Sequence, residues 1–422
     1  MNILILGGGG REHSLAWAIL QNPKCDTLIV APGNAGIKQI ARCVEIDISN
    51  STQVKNLAKD ESIDLVIIGP EAPLALGIAD QLRISGVRVF GPSAHAAKLE
   101  TSKSFTKDIC ATAKIPTAKF AHFFSPEAAE NYIRSKTYPI VIKADGLAAG
   151  KGVVVAFDEI TALQAINNLF AGQLGDVKNG VLVEEFIDGE EASLFVLCDG
   201  EEILPIGTAQ DHKKVGEGDI GLNTGGMGAY SPAPVLTAEI QSKAIQQIIY
   251  PTIKEMKQRG IPYQGVLYAG LMINDGTPYL IEYNVRFGDP EAQVLMMRLG
   301  AQALDLIQAT CEARLSEMQV NWANDHAICI VMATKGYPQN FCKGSEIKGL
   351  DKLSQTSHEM CFHAGTKIGK NGAIIANSGR VLNATARGAT LKEAHNIAYS
   401  MIKAIEWSEG FYRQDIGWRA LD

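Results

Sequence analysis

Three polar residues at alternate positions, Glu282, Asn284 and Arg286, stand in the stretch LIEYNVRFGDPE (280–291). In an extended chain successive side chains alternate, so these three share one face while Ile281, Tyr283, Val285 and Phe287 share the other. A carboxylate and an amide oxygen in one row suit Mg²⁺, and a fixed guanidinium suits a phosphate or a carboxylate. A half-buried strand would not collect such a row without partners to satisfy it. The plain alternative is an ordinary strand with a wet face that ends in an Asp-Pro turn.

Further groups capable of chemistry lie on glycine-rich turns and acidic hairpins. A run of four glycines, Gly7 to Gly10, precedes Arg11, Glu12 and His13. It fails as a dinucleotide fingerprint, because the third glycine of GxGxxG would fall on Glu12 or His13 and no acidic residue follows Val30. What survives is a helix N-terminus with amides and Arg11 beside it, a place for one phosphate, or else a bare strand-to-helix turn. The segment ADGLAAGKG (144–152) fails as a Walker A loop, since Asp145 occupies the first glycine position and Gly152 follows Lys151. It reads as a hairpin over phosphates with Lys143 on the preceding strand, or as a solvated hairpin. The stretch GVLVEEF places Glu184 and Glu185 at a strand end, and Glu190 and Glu191 follow Asp188-Gly189. Such a hinge can meet a base and a ribose, although surface hairpins carry glutamate pairs just as often.

These groups need elements to hold them. Short apolar strands at 2–6, 27–30, 64–68 and 87–90, separated by helical stretches and followed by glycine or proline turns, predict a parallel sheet with ligands at its carboxyl edge. Residues 93–103 read as a linker, and a helix then runs to Lys114, where Ile115-Pro116 stops it. Strands are expected at 138–143, 153–156, 180–186, 193–197 and 264–272, the last joined to the opening stretch through Asn274-Asp275-Gly276. The polar, glycine-rich run from Thr208 to Pro232 reads as a loop that brings Asp211, His212 and Lys213 toward a site, with His212 a hydrogen-bonding residue rather than a base. An amphipathic helix capped by Thr237 is expected over 237–259. Another is expected from Pro290 to Arg314, and a last unit from His326 has strands at 327–332, 361–368 and 380–386 and a helix at 391–407.

Composition narrows the classes. With 422 residues, 46% hydrophobic and 20% charged, the chain has the makeup of a globular protein of two to four domains. A net charge of -7 argues against a nucleic-acid or membrane-surface binder and leaves room for a local phosphate pocket. Eight scattered cysteines give neither a zinc spacing nor a disulfide framework. The N-terminus enters a strand directly and no apolar run approaches a membrane span, so the cytoplasm is the expected location.

Taken in order, Lys103, Lys143, the glycine hairpin, the VEEF hinge and the Glu282/Asn284 strand resemble an ATP-grasp domain. More closely, GGREH, PGNAG, GPEAPL, QDHKKVG, NTGGMGAYSP, RFGDPEAQ and DIGWRAL resemble the phosphoribosylamine–glycine ligase family across essentially the whole chain. The resemblance implies an α/β architecture: a Rossmann-like N-terminal domain (1–102), an ATP-grasp fold of two α+β subdomains (103–325, lid about 122–190) and a small α+β C-terminal domain (326–422). It implies an ATP-dependent ligation of glycine to 5-phosphoribosylamine with Mg²⁺ or Mn²⁺, in a monomer or dimer that binds neither nucleic acid nor membrane.

Carried across, Lys103 and Lys143 would hold ATP phosphates under the hairpin containing Gly150 and Gly152. Glu184 would lie at the adenine hinge, and Glu191, with Glu190 as the alternative, at the ribose. Glu282 and Asn284 would bind the metal; Tyr268, Ala269 and Gly270 stand where many ATP-grasp enzymes place another metal carboxylate. Charge complementarity places the phosphate of phosphoribosylamine on Gly9, Gly10 and Arg11, with Asn34 and Glu71 near its ribose. It likewise puts Arg286 on the glycine carboxylate and Asp211 on its ammonium. Leu222 in GLNTGG replaces an expected proline, which bears on the stiffness of that loop. The competing expectations are another ATP-grasp ligase, such as a carboxylase, which QDHK and GGMGAYSP oppose, and a nucleotide-binding sensor without ligase activity, which the Glu282/Asn284 pair opposes.

Overall fold

The computed structural model describes residues 1–146, 152–173 and 179–421. Its first sheet holds five parallel strands in the order Arg42–Cys43, Thr27–Pro32, Asn2–Gly7, Leu65–Ile68, Arg88–Phe90. Near-continuous apolar runs form these strands because both faces are covered, as parallel sheets require. Ile3, Leu4, Ile5 and Leu6 are all fully buried, each worth roughly 1.5–3 kcal/mol of transfer free energy. The carboxyl edge carries Gly7 to Gly10, Asn34 and Glu71, as the order of turns predicted.

The smaller antiparallel sheet runs Phe120–Phe123, Val181–Glu185, Ile140–Ala144, Val153–Ala156. Helices Pro126–Ile133 and Glu159–Phe170 cover one face through Ala129, Ile133, Ala162, Ile166 and Leu169. The larger sheet is continuous from the middle of the chain into its last quarter: Thr277–Asn284, Gln264–Asn274, Glu190–Asp199, Ile203–Asp211, Gly228–Ser231, His326–Thr334, Arg380–Gly388, Glu359–His363.

That continuity corrects the reading of 208–232 as a loop. Strand Ile203–Asp211 extends into it, and Gly228–Ser231 pairs with both Ile203–Asp211 and His326–Thr334. Ala229, Tyr230 and Ser231 are fully buried. Only the hairpin Lys214–Gly216/Ile220–Asn223 stands clear of the core. Four other expectations shift. The segment 93–103 is packed rather than a linker, with helix Lys98–Thr101 and buried Ala96, Ala97 and Leu99. The helix after Pro290 breaks at Gly300 into Glu291–Leu299 and Gln302–Cys311, because Gly300 adopts φ +57°. The strand expected at 361–368 is split into Glu359–His363 and Thr366–Ile368. Finally, strand Thr277–Asn284 has an irregularity opposite Gly270/Leu271. Leu280 and Tyr283 are therefore buried and Ile281 is not in the core, while Val285 to Phe287 lie beyond the strand end.

The last quarter also packs on the first sheet. The His363 amide donates to His13 Nδ1 at 2.8 Å, Asn34 donates to the His363 carbonyl, and Trp17 meets Phe362 edge-on. Burial pushes the His363 ring down to about 4 and His13 well below its ordinary value, so both are neutral in the folded chain. Unfolding frees them to titrate near 6.5, so the unfolded state takes up more protons below that pH. Stability from His363 is complete above about pH 6.5 and is lost as pH falls toward about 4, a change of about 3 kcal/mol at 1.4 kcal/mol per pKa unit. Urea midpoints measured between pH 7.5 and 5 are expected to show this slope, and His363→Asn to flatten it; an unchanged slope in the variant rules the assignment out.

Candidate active site

Two elements bring three lysines to one carboxylate-lined cluster. Lys143, on strand Ile140–Ala144, is buried and donates to Glu184 Oε2 at 2.9 Å; the carboxylate belongs to the paired strand Val181–Glu185. Lys107, which the sequence reading left out, lies 3.3 Å from the other Glu184 oxygen. Its signal was its place one helical turn after Lys103 on Lys103–Ala113. Burial raises the Glu184 carboxyl, but Lys143 and Lys107 outweigh it and hold the group below the usual range. Lys103 begins its helix, whose first amides donate to Asp145 Oδ1, and its Nζ reaches the Gly146 carbonyl at 3.0 Å. Of the expected hairpin, Gly152 is buried and its carbonyl accepts from Ala144, whereas Gly150 lies outside the described residues.

The paired strands Glu190–Asp199, Gln264–Asn274 and Thr277–Asn284 hold the candidate metal groups. Glu191 lies opposite Met272, and Glu282 opposite Gly270. Lys213 reaches across this cluster, bonded to Glu191 and 3.7 Å from Glu282. Glu190 turns instead to Gln210 Nε2 at 2.7 Å. Burial would raise the Glu282 carboxyl, but Lys213, Lys143, Lys103 and Arg286 together hold it ionised below its ordinary range. Among the described residues no three acidic, histidine or cysteine side chains gather to hold an ion alone. Glu282 and Asn284 provide two hard oxygen donors, which fits Mg²⁺ or Mn²⁺ completed by phosphate oxygens and water.

Arg286 joins the middle of the chain to the first sheet. Its Nε is 3.3 Å from Glu71 Oε2, its Nη2 is 3.0 Å from Glu100 Oε1, and Nη1 donates to the Phe287 carbonyl. Glu100, hidden in the supposed linker, also accepts from the Val285 amide at 2.8 Å. Burial pushes the Glu100 carboxyl up even with Arg286 opposing. Asp211 ends strand Ile203–Asp211, and its Oδ1 is buried without a hydrogen-bond partner among the described residues. Burial, then the charge of Glu291, pushes that carboxyl well up. Gly226, at φ +110°, is required beside it, since a side-chain carbon there would lie 2.6 Å from Asp211 Oδ1. Arg380, from the last sheet, donates to the carbonyls of Gly225, Gly226 and Asp289 and so anchors both turns around Asp211. Sequence reading missed Arg380, because nothing local distinguishes it from a surface arginine.

The N-terminal glycine turn departs from its expected openness. Gly9 donates to Glu12 Oε2 at 2.6 Å, and Arg11 is buried, bonded to Glu12 Oε1 at 2.7 Å and to the Phe287 carbonyl. Gly10 is buried beneath Asn383 and Gln293. Asn34 spends its amide group on the Gly8 and His363 carbonyls and its oxygen on the Gly36 and Ile37 amides. A phosphate at this turn has to compete with Glu12, a carboxylate the sequence reading treated only as a failed glycine. Glu71 faces the Arg286 cluster directly, and Arg11 reaches it through the Phe287 carbonyl that it shares with Arg286.

Comparison with known proteins finds relatives over the full length. Residues 1–100 match the model of the phosphoribosylglycinamide synthetase N domain, 101–292 its ATP-grasp (A) domain and 327–419 its C domain. A protein of Brucella melitensis named phosphoribosylamine–glycine ligase is 52% identical over 422 residues, covering 100% of this chain and 99% of that one. The crystal structure of the Thermotoga maritima phosphoribosylamine–glycine ligase superposes with a TM-score of 0.86 at 30% identity, over 98% of this chain and 100% of the other. The biotin carboxylase domain of the Hydrogenobacter thermophilus 2-oxoglutarate carboxylase, solved with MgADP and bicarbonate, gives 0.73 at 16% identity, over 97% of this chain and 91% of that one. That last likeness is one of fold. Among the described residues no helix is long and apolar enough to cross a membrane.

Proposed function

The chain belongs to the phosphoribosylglycinamide synthetase family, ATP-grasp ligases of purine biosynthesis, and on that premise we propose that it joins glycine to 5-phosphoribosylamine through a glycyl phosphate. The observation that carries this reading is the row Glu282, Asn284, Arg286. It runs from the lysines around Glu184 to the carboxylates Glu71 and Glu100. Phosphate-binding charge thus lies at one end and amino-acid-binding charge at the other.

The γ-phosphoryl group of ATP passes to the glycine carboxylate, and the amine of phosphoribosylamine then displaces phosphate to give glycinamide ribonucleotide. Lys103 and Lys143 hold phosphate oxygens, Glu184 lies at the adenine hinge and Glu191 meets the ribose. Gly152 belongs to the cover over the phosphates. Glu282 and Asn284 would hold Mg²⁺ or Mn²⁺, which would supply positive charge to the transferring phosphoryl group. Arg286 fixes the glycine carboxylate in line, and the orphaned oxygen of Asp211 takes its ammonium. Glu71 and the turn Gly9, Gly10, Arg11 with Asn34 face the second substrate. The protein's work is alignment and charge neutralisation, with little covalent chemistry of its own. The working units are 1–102, 103–325 and 326–422, in the cytoplasm.

Incubating the protein with Mg-ATP, glycine and freshly made phosphoribosylamine is expected to release ADP only when all are present, with one glycinamide ribonucleotide per ADP. Absence of glycine-dependent release refutes the reading. Release with bicarbonate in place of glycine points to a carboxylase instead.

A further inference from the structure

Asp211 and Lys213 face the site, and strand alternation turns the residue between them, His212, the other way. Its ring is 1% exposed and lies against the end of the chain. The Gly417 amide donates to His212 Nε2 at 2.9 Å. That nitrogen is therefore the bare one, and the proton sits on Nδ1, 3.6 Å from Asp219 Oδ1.

Asp219 is itself clamped. Arg413, 1% exposed, bonds Asp219 Oδ1 at 2.8 Å, both oxygens of Asp415 at 2.7 Å and the Lys214 carbonyl at 3.0 Å. Arg419 bonds the second Asp219 oxygen, and Asp415 accepts from the Gly218 amide. Ile416 is fully buried, against Gly228. The final segment thus wraps the base of the hairpin whose first strand leaves directly from Lys213. The hydrogen bonds from His212 to Gly228, from Met227 to His212 and from Thr224 to the Lys213 carbonyl hold the backbone of this corner, and among the described residues the buried ring is the one side chain of the 211–213 stretch that meets the final segment.

We propose that His212 is a positioning residue, and that the segment from Arg413 to Arg419 acts through it to fix Asp211 and Lys213 against glycine and the transferring phosphoryl group. The inference rests on the role given above to Asp211 and takes Lys213, 3.7 Å from Glu282, as a cation beside the metal and the transferring phosphoryl group. Lys103 and Lys143 lie on other elements that this clamp does not touch, and of the proposed ATP contacts only Glu191 meets it, through Lys213, so its loss falls on glycine far more than on ATP.

The test is steady-state ADP release by His212→Leu, His212→Gln and Arg419→Ala, with rates normalised to the folded fraction by Mg-ADP titration. A displacement near 1 Å at reacting groups costs about a hundredfold. Expected for His212→Leu is a kcat/KM for glycine lowered about a hundredfold with the KM for ATP within twofold of wild type. Glutamine can accept from Gly417 and donate to Asp219, so His212→Gln is expected to recover most of the loss. Arg419→Ala, a change at a partly exposed cation, is expected to raise the KM for glycine several-fold and decides the matter if His212→Leu does not fold. Glycine constants at wild-type values in the folded variants overturn the inference, as does a parallel loss for ATP and glycine. No glycine-dependent release by the wild type counts against the functional reading and not against the clamp.

Discussion

Arg286→Ala is expected to lower kcat/KM for glycine by two to three orders of magnitude. Of the five guanidinium donors, one goes to Glu71, one to Glu100 and one to the Phe287 carbonyl. Two remain, enough for a carboxylate. A buried, charge-assisted contact of this kind is worth about 3–5 kcal/mol on truncation, and each 1.4 kcal/mol is a factor of ten in rate. The same change leaves Glu100, whose side chain is 8% exposed, facing Glu71 with no cation between them. Stability is therefore expected to fall by about 3 kcal/mol, because an uncompensated buried charge costs more than the pair contributes. The two losses separate in the double variant Arg286→Ala/Glu100→Gln: removing the orphaned carboxylate is expected to restore most of the urea midpoint and none of the glycine kinetics. Near-normal glycine constants in Arg286→Ala would remove this residue from the substrate site.

The pair Glu282 and Asn284 was legible because local alternation decides it. The irregularity opposite Gly270/Leu271 lies upstream of Glu282, so it moved Ile281 out of the core without disturbing the phase of 282 and 284, whereas Arg286 lies at a bend past the strand end and is held by Glu71 and Glu100. The parallel first sheet was legible for a similar reason, each strand being an apolar run closed by its own turn. Glu100 was not. Its partners are 185 residues or more away or reach it from another sheet edge, and the short helix Lys98–Thr101 has too little periodicity to separate from a linker. Gly228–Ser231 was missed because Gly225, Gly226 and Gly228 argue for a loop, and only pairing with Ile203–Asp211 and His326–Thr334 overrides that preference. At Gly9 the sequence did hold the signal, an acidic residue at the third helical position, but the capping meaning of Glu12 was passed over in testing for a nucleotide fingerprint.

Glu282→Gln is expected to abolish turnover, with kcat lowered at least about a thousandfold, through loss of the metal rather than of the nucleotide. Glu282 lies among Lys213, Lys143, Lys103 and Arg286, four cations whose combined field keeps it ionised despite its burial. Neutralising it leaves a pocket still more positive, which repels a dication and attracts a polyphosphate. The two affinities should therefore move in opposite directions. Mn²⁺ binding followed by electron paramagnetic resonance is expected to weaken at least about tenfold, while metal-free ADP, measured by calorimetry, binds as tightly as to wild type or tighter. Metal charge on a transferring phosphoryl group supplies several kcal/mol, the size of the expected rate loss. Asn284→Asp provides the converse, since it adds a carboxylate on the same face and should retain or tighten Mn²⁺. Undiminished Mn²⁺ affinity in Glu282→Gln would move the metal away from this strand, and a matching loss of ADP affinity would make Glu282 a support of the fold rather than a ligand.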